Sequence, residues 1–206
     1  MEKYIMNKLK KENIMLRLLN YSREIKYCNK NILMINSIPN SITEQEEAIL
    51  FDKSFININD PKIKKIHEIS QKKIMSVLKE LYILNNGPVF CNLFNFDKLN
   101  DLGICENDNQ YTLEEKQQLY NLLSRLSGAE LFYKKIFKLI NFEEFEILVK
   151  YNLITFRNIK FYFRNLHLIV LGKYDYNYIL SGSYNNPKIL NILKNNDIST
   201  YETTAF

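Results

Sequence analysis

A chain of 206 residues with 46% hydrophobic and 13% aromatic side chains can bury a substantial core, which argues against global disorder. Its three cysteines, Cys28, Cys91 and Cys105, form no CxxC pair, which argues against a zinc site or a disulfide framework and for free thiols in a reducing compartment. The net charge of +5 is unevenly placed: residues 1–30 hold eight Lys/Arg and three Asp/Glu, a difference equal to the whole surplus, and the rest of the chain carries twenty of each sign.

Asn, Ile, Lys, Tyr and Phe are abundant, and Ala occurs only at Ala48, Ala129 and Ala205. That is the pattern of an AT-rich genome, so a high count of Asn or Lys is weak evidence of function in itself. Residues 1–13 interrupt every short apolar run with charge, which argues against a signal peptide. No segment approaches the ~18 apolar residues of a membrane span. Asn20-Tyr21-Ser22 fits a glycosylation sequon, and without a secretion signal it reads as chance. The expected location is the cytoplasm.

In chain order, Tyr4, Ile5, Leu9, Leu16 and Leu19 predict an amphipathic helix over 3–21 with lysines between them. A basic arm on a neutral body favours phosphate backbones or an acidic partner, and it also fits a merely solvated helix face. Residues 31–38, short and β-branched before Pro39, predict a strand. Thr43-Glu44-Gln45-Glu46 is a capping box and predicts a short helix over 44–51; 55–58 alternates weakly as a further strand. Asp60-Pro61 opens the clearest helix, with Ile63, Ile66, Ser70, Ile74, Val77, Leu78 and Leu81 at spacings of three and four. Asn85-Asn86-Gly87-Pro88 stops it. His67 lies near the edge of the stripe and reads as a packed or surface histidine; Gln71 stands where an HExxH motif would need its second histidine.

Residues 89–96 predict a short buried strand, and the polar stretch 97–110 a long loop. The chain is expected to form a single domain over 1–206, with a subdomain boundary near 97–110 separating 1–96 from 111–206. Thr112-Leu113-Glu114-Glu115 is a second capping box, before a helix that ends near Gly128. Residues 129–140 predict another helix. Asn141 caps a third, whose first turn carries acids as the macrodipole prefers. This order of helices before strands has a coarse similarity to a winged helix, with 142–152 as the reading helix. Glu143, Glu144 and Glu146 against Lys150 give that helix the wrong charge to meet phosphates.

Residues 159–180 predict three antiparallel strands. With Arg164-Asn165 and Gly172-Lys173 as two-residue loops, Phe163 faces Leu166, Phe161 faces Leu168 and Ile159 faces Val170 on a core face. The other face then gathers Lys160, Tyr162, Arg164, His167, Ile169, Leu171, Tyr174, Tyr176 and Tyr178. Rings and cations on a sheet suit stacked bases and phosphates of single-stranded RNA, and they equally suit ordinary cross-strand packing. A last helix is expected over 187–194, followed by a loose polar tail.

The expected fold is therefore α+β, a mainly helical frame on a C-terminal antiparallel three-stranded meander with a few short strands from the N-terminal half. The expected function is a non-enzymatic binding factor that docks on RNA or a ribonucleoprotein such as the ribosome. Its candidate contacts are Lys3, Lys8, Lys10, Lys11 and Arg17 in the arm and Lys160, Tyr162, Arg164, His167, Tyr174, Tyr176 and Tyr178 on the sheet. One alternative is a viral or pathogen-encoded protein-interaction or inhibitor module. Another is a small phosphodiesterase-like enzyme using His167. No catalytic residue, metal or cofactor is assigned: five glycines spread singly cannot form a phosphate loop, and no carboxylate pair has diagnostic spacing.

Overall fold

The computed structural model describes residues 31–38, 43, 45, 61–93, 112–128, 136–155, 159–172 and 177–204. The expectations for 3–21, 55–58 and 97–110 lie outside them, as does that for 44–51 except at residue 45. Among the described residues, four helices pack on a seven-stranded antiparallel sheet, so the α+β class holds. The strands are β1 (Asn31–Asn36), β2 (Val89–Leu93), β3 (Ile136–Lys138), β4 (Ile159–Phe163), β5 (Leu168–Gly172), β6 (Asn177–Gly182) and β7 (Ser199–Thr204). The helices are α1 (Pro61–Asn85), α2 (Leu113–Gly128), α3 (Phe142–Thr155) and α4 (Pro187–Asn195).

The sheet order is β3-β2-β4-β5-β6-β1-β7. The meander β4-β5-β6 is present, but it is the middle of a larger sheet and not a free-standing layer. Strands β2 and β3 extend it on one side, β1 and β7 on the other.

Helices α2, α3 and α4 start where local chemistry satisfies their first amides. At α2 the capping box is closed in both directions: Glu115 N–H donates to Thr112 Oγ1 (3.2 Å), and Thr112 N–H donates to Glu115 Oε2 (2.8 Å). At α3 Asn141 Oδ1 accepts from Glu144 N–H (2.9 Å), and the Glu144 carboxylate reaches back to Ile140 N–H (2.7 Å). At α4 Asn186 Oδ1 accepts from Lys188 N–H (3.0 Å), with Pro187 in the first turn. Helix α1 ends at Asn85, after which Asn86 turns left-handed at φ 39°.

One face of the sheet carries the core. Ile159, Phe161, Phe163, Leu168, Val170, Tyr178, Leu180, Leu33, Ile35, Val89 and Cys91 form one cluster with the apolar stripes of all four helices. Phe145 is its hub, with ring centroids 5.0 Å from Phe161, 5.8 Å from Phe163 and 5.2 Å from Tyr82. The opposite face buries Ile32, Phe90, Tyr162, Ile169 and Ser181, none of which belongs to that cluster. No helix among the described residues is long and apolar enough to cross a membrane.

Three local expectations are corrected. Residues 136–138, expected to be helical, form β3 and pair with β2, with Cys91 opposite Phe137. A short apolar run does not show by itself whether it is helix or strand, and here the free edge of β2 decides. The tail STYETT, expected to be loose, is the edge strand β7, matched residue for residue with β1 from Asn31↔Thr204 to Asn36↔Ser199.

The third correction is to register. The β4–β5 loop has four residues, Arg164 to His167, so Phe163 faces Leu168 and Phe161 faces Val170. This shift of two leaves the faces unchanged. Between β5 and β6 Gly172 faces Tyr178 and Val170 faces Leu180, an odd shift from the pairing of His167 with Tyr178 that a two-residue Gly172-Lys173 loop would give. An odd shift exchanges the faces of a strand. Tyr178 therefore points into the core.

Candidate nucleic-acid interface

The odd register takes apart the expected Tyr/His face. Tyr178 is 1% exposed and donates its hydroxyl to Asn152 Oδ1 at 2.5 Å, and burial pushes its pKa well above the ordinary phenol value. Asn152 sits over Gly172: a Cβ there would lie 2.3 Å from Asn152 Oδ1. Gly172, expected to open a tight turn, instead ends β5, and its missing side chain is the space that Asn152 fills.

Tyr162 stays on the opposite face but is only 6% exposed, between Phe90 on β2 and Ile169 on β5. A ring so covered cannot stack on a base without rearrangement. Lys160 shares that face, half-buried, and burial lowers its pKa. Lys3, Lys8, Lys10, Lys11, Arg17, Tyr174 and Tyr176 lie outside the described residues.

Two expected contacts, Arg164 and His167, are brought together in the β4–β5 loop, His167 exposed and Arg164 half-exposed. Their loop is held from the end of α1. The Asn85 side chain is 1% exposed; its Oδ1 accepts from Asn165 N–H (2.9 Å) and Leu166 N–H (3.3 Å). Its Nδ2 donates to Gly87 C=O (2.8 Å) and Pro88 C=O (3.4 Å). Asn165 Nδ2 returns a bond to Asn86 C=O (3.1 Å). Gly87 permits this approach, since a Cβ on it would meet Asn165 Nδ2 at 2.4 Å.

A third segment joins the group, because Ser183 N–H donates to His167 C=O (3.2 Å) and Asn186 N–H donates to Ser183 C=O (3.1 Å). One end of the sheet is thus an organised polar apex of three loops: 85–88, 164–167 and 183–186. The start of α4 opens there, adding the positive end of a helix dipole. Asn86 (φ 39°), His167 (φ 47°) and Gly182 (φ 99°) are all left-handed at this end. Non-glycine residues held in that region are uncommon, and packing must hold them there.

Sequence reasoning found Arg164 and His167 but missed Asn85, Gly87 and Asn165. The signal was the run Asn85-Asn86-Gly87, read only as a helix stop.

Strand β1 also begins at this end. Leu33 pairs with Leu180, so the first residue of β1, Asn31, runs beside the Gly182 end of β6. Strand β1 is two strands from β5, roughly 10 Å across the sheet. The segment that holds the entire charge surplus therefore joins the fold at the end that presents Arg164 and His167.

Several other titratable groups are structural. Cys91 is buried, and desolvation followed by the charge of Glu144 pushes its thiol far up, so it is protonated and inert. His67 is buried on α1, and desolvation lowers its pKa to about 4. Lys150 is bound by Glu115, Arg125 by Glu144 (2.6 Å) and Lys73 by Asp197 (2.6 Å). The chain matches no protein-family model, and no curated protein or solved structure aligns with it significantly.

Proposed function

We propose that this protein is a non-enzymatic cytoplasmic factor that docks on RNA or on a ribonucleoprotein particle such as the ribosome. The observation that carries the reading is that β1 begins at the end of the sheet that presents Arg164 and His167. A segment with a surplus of five cations joins β1 beside the loop that holds Arg164 and His167. Long-range attraction from the arm would bring phosphates to the apex, where Arg164 supplies a short-range donor. Tyr162 and Tyr178 play no part, because both are buried.

Binding of a structured RNA by the full chain, followed by fluorescence anisotropy at ~50 and ~200 mM salt, tests this. The expected result is steep salt dependence, with a slope that falls by about one for each phosphate-bound lysine replaced in a Lys8→Glu, Lys10→Glu, Lys11→Glu variant. An RNA affinity that is absent, or that is indifferent to those substitutions, would sink the proposal.

The edge of β7, open among the described residues, favours a second reading. Thr200, Tyr201 and Glu202 are accessible there, and an extended segment of a protein partner can add to such an edge. That reading predicts a complex that survives both nuclease and high salt.

A further inference from the structure

We infer that the exposed ridge of α1 is a second phosphate-contacting surface, one that takes the backbone of helical RNA; the inference rests on the RNA-docking reading above. The exposed residues of α1 include Lys62, Lys64, Lys65, Glu68, Lys72 and Lys79. Positions 65, 72 and 79 recur every seven residues, so their lysines fall nearly in line at intervals of about 10.5 Å. Lys64 flanks the line at its start, and Glu68 is its single acid.

Two observations separate this ridge from an ordinary solvated face. First, three of its cations are left uncommitted. Among the described residues Lys64, Lys65 and Lys72 have no ion-pair partner, whereas Lys73, one residue away from Lys72, is bound to Asp197. Lys79 is held over the Phe142 ring, 5.7 Å from its centroid.

Second, the start of the ridge departs from the pattern of α2 and α3, although α4 likewise has no acid and holds Lys188 in its first turn. The first turns of α2 and α3 carry Glu114, Glu115, Glu143 and Glu144, as the positive end of a helix dipole prefers. The first turn of α1 has no acid and instead holds lysines. Local choices that oppose helix stability are expected where a surface serves binding.

The chemistry of the ridge selects the partner. It presents point charges at fixed pitch and no exposed aromatic ring. Stacking of single-stranded bases has nothing to use here, whereas double-helical RNA is recognised by shape and by phosphate contacts. The ridge also leads to the apex: α1 ends at Asn85, six residues, or about 9 Å, beyond Lys79. Apex and ridge thus give one track along α1.

The test uses the full chain and a labelled RNA duplex of about 20 base pairs, with single-stranded RNA and a DNA duplex of the same length as comparisons. In a Lys64→Gln, Lys65→Gln, Lys72→Gln variant the slope of log K against log salt should fall by about 3. A Lys64→Glu, Lys65→Glu variant should bind RNA more weakly yet melt at a higher temperature, which a purely structural role for these lysines would not produce. A wild-type slope in the triple variant overturns the ridge; if the arm variant loses binding at the same time, the docking reading stands without it. Equal or tighter binding of the single strand or of DNA overturns the assignment to helical RNA. No RNA binding by the wild type removes both.

Discussion

Asn85→Ala should cost more than a polar-to-alanine change at a loop junction ordinarily does. The Asn85 side chain makes four hydrogen bonds, two short (2.8 Å to Gly87 C=O, 2.9 Å from Asn165 N–H) and two long (3.4 Å to Pro88 C=O, 3.3 Å from Leu166 N–H). A net ~1 kcal/mol for each short bond and about half that for each long one gives roughly 3 kcal/mol. Water can reach the Asn165 amide in the variant, because Asn165 is exposed, which reduces the loss to about 2 kcal/mol. For a chain of this size that is a fall in Tm of roughly 4–8 °C. Asn165→Ala removes only the 3.1 Å bond to Asn86 C=O and should cost under ~1 kcal/mol. Urea unfolding followed by circular dichroism measures both, with an unchanged m-value expected. A loss below about 0.5 kcal/mol for Asn85→Ala, or a larger loss for Asn165→Ala, would refute the view that Asn85 is the clamp of the apex. The same variant should weaken RNA binding without changing its salt slope, because it disorders the loop under Arg164 and removes no charge.

Acid should expose the buried histidine. Desolvation holds the His67 pKa at about 4 in the folded chain against 6.5 unfolded, so its contribution is complete above pH 6.5 and is lost as pH falls towards 4. The loss should be on the order of 2 kcal/mol by pH 5, and a His67→Gln variant should flatten that part of the stability curve. Gly172→Ala should destabilise by ~1–3 kcal/mol because its Cβ strikes Asn152, and adding Asn152→Ala should cost much less than the sum of the single changes; additive costs in thermal melts would show that the two do not compete for one space. Tyr178→Phe should cost about 1–2 kcal/mol by removing the hydroxyl that donates to Asn152 Oδ1 in the core, and no change in chemical denaturation would argue against that bond.

The elements that were legible from sequence are those whose causes are local. Pro61 and the stripe from Ile63 to Leu81 identify α1, and Thr112, Glu115 and Asn141 mark starts that the side-chain bonds confirm. What was not legible depends on distant partners. STYETT has β-compatible residues in a polar tail, and it becomes a strand only because β1, near the other end of the described chain, offers an edge. The hairpin registers are chosen by Asn85, 80 positions before Asn165, and by Asn152, 26 before Tyr178. Counting from the loops inward has no access to either. The candidate site followed the same division. Arg164 and His167, expected on the sheet face, stay together because they are three residues apart in the chain, whereas the tyrosine face failed because it depended on the register between β5 and β6.

The place of β1 in the sheet has a consequence for how the chain is made. Its two neighbours are β6 (Asn177–Gly182) and β7 (Ser199–Thr204), so the segment NILMIN has no partner strand until some 140 further residues exist. At synthesis rates of about 5–20 residues per second, that is roughly 7–30 s with an apolar, β-branched strand unpaired. Loop closure over such a distance is slow, and unpaired strand edges are sticky. Substitutions in this strand that raise its β-propensity should therefore lower soluble yield while leaving the stability of the finished protein intact.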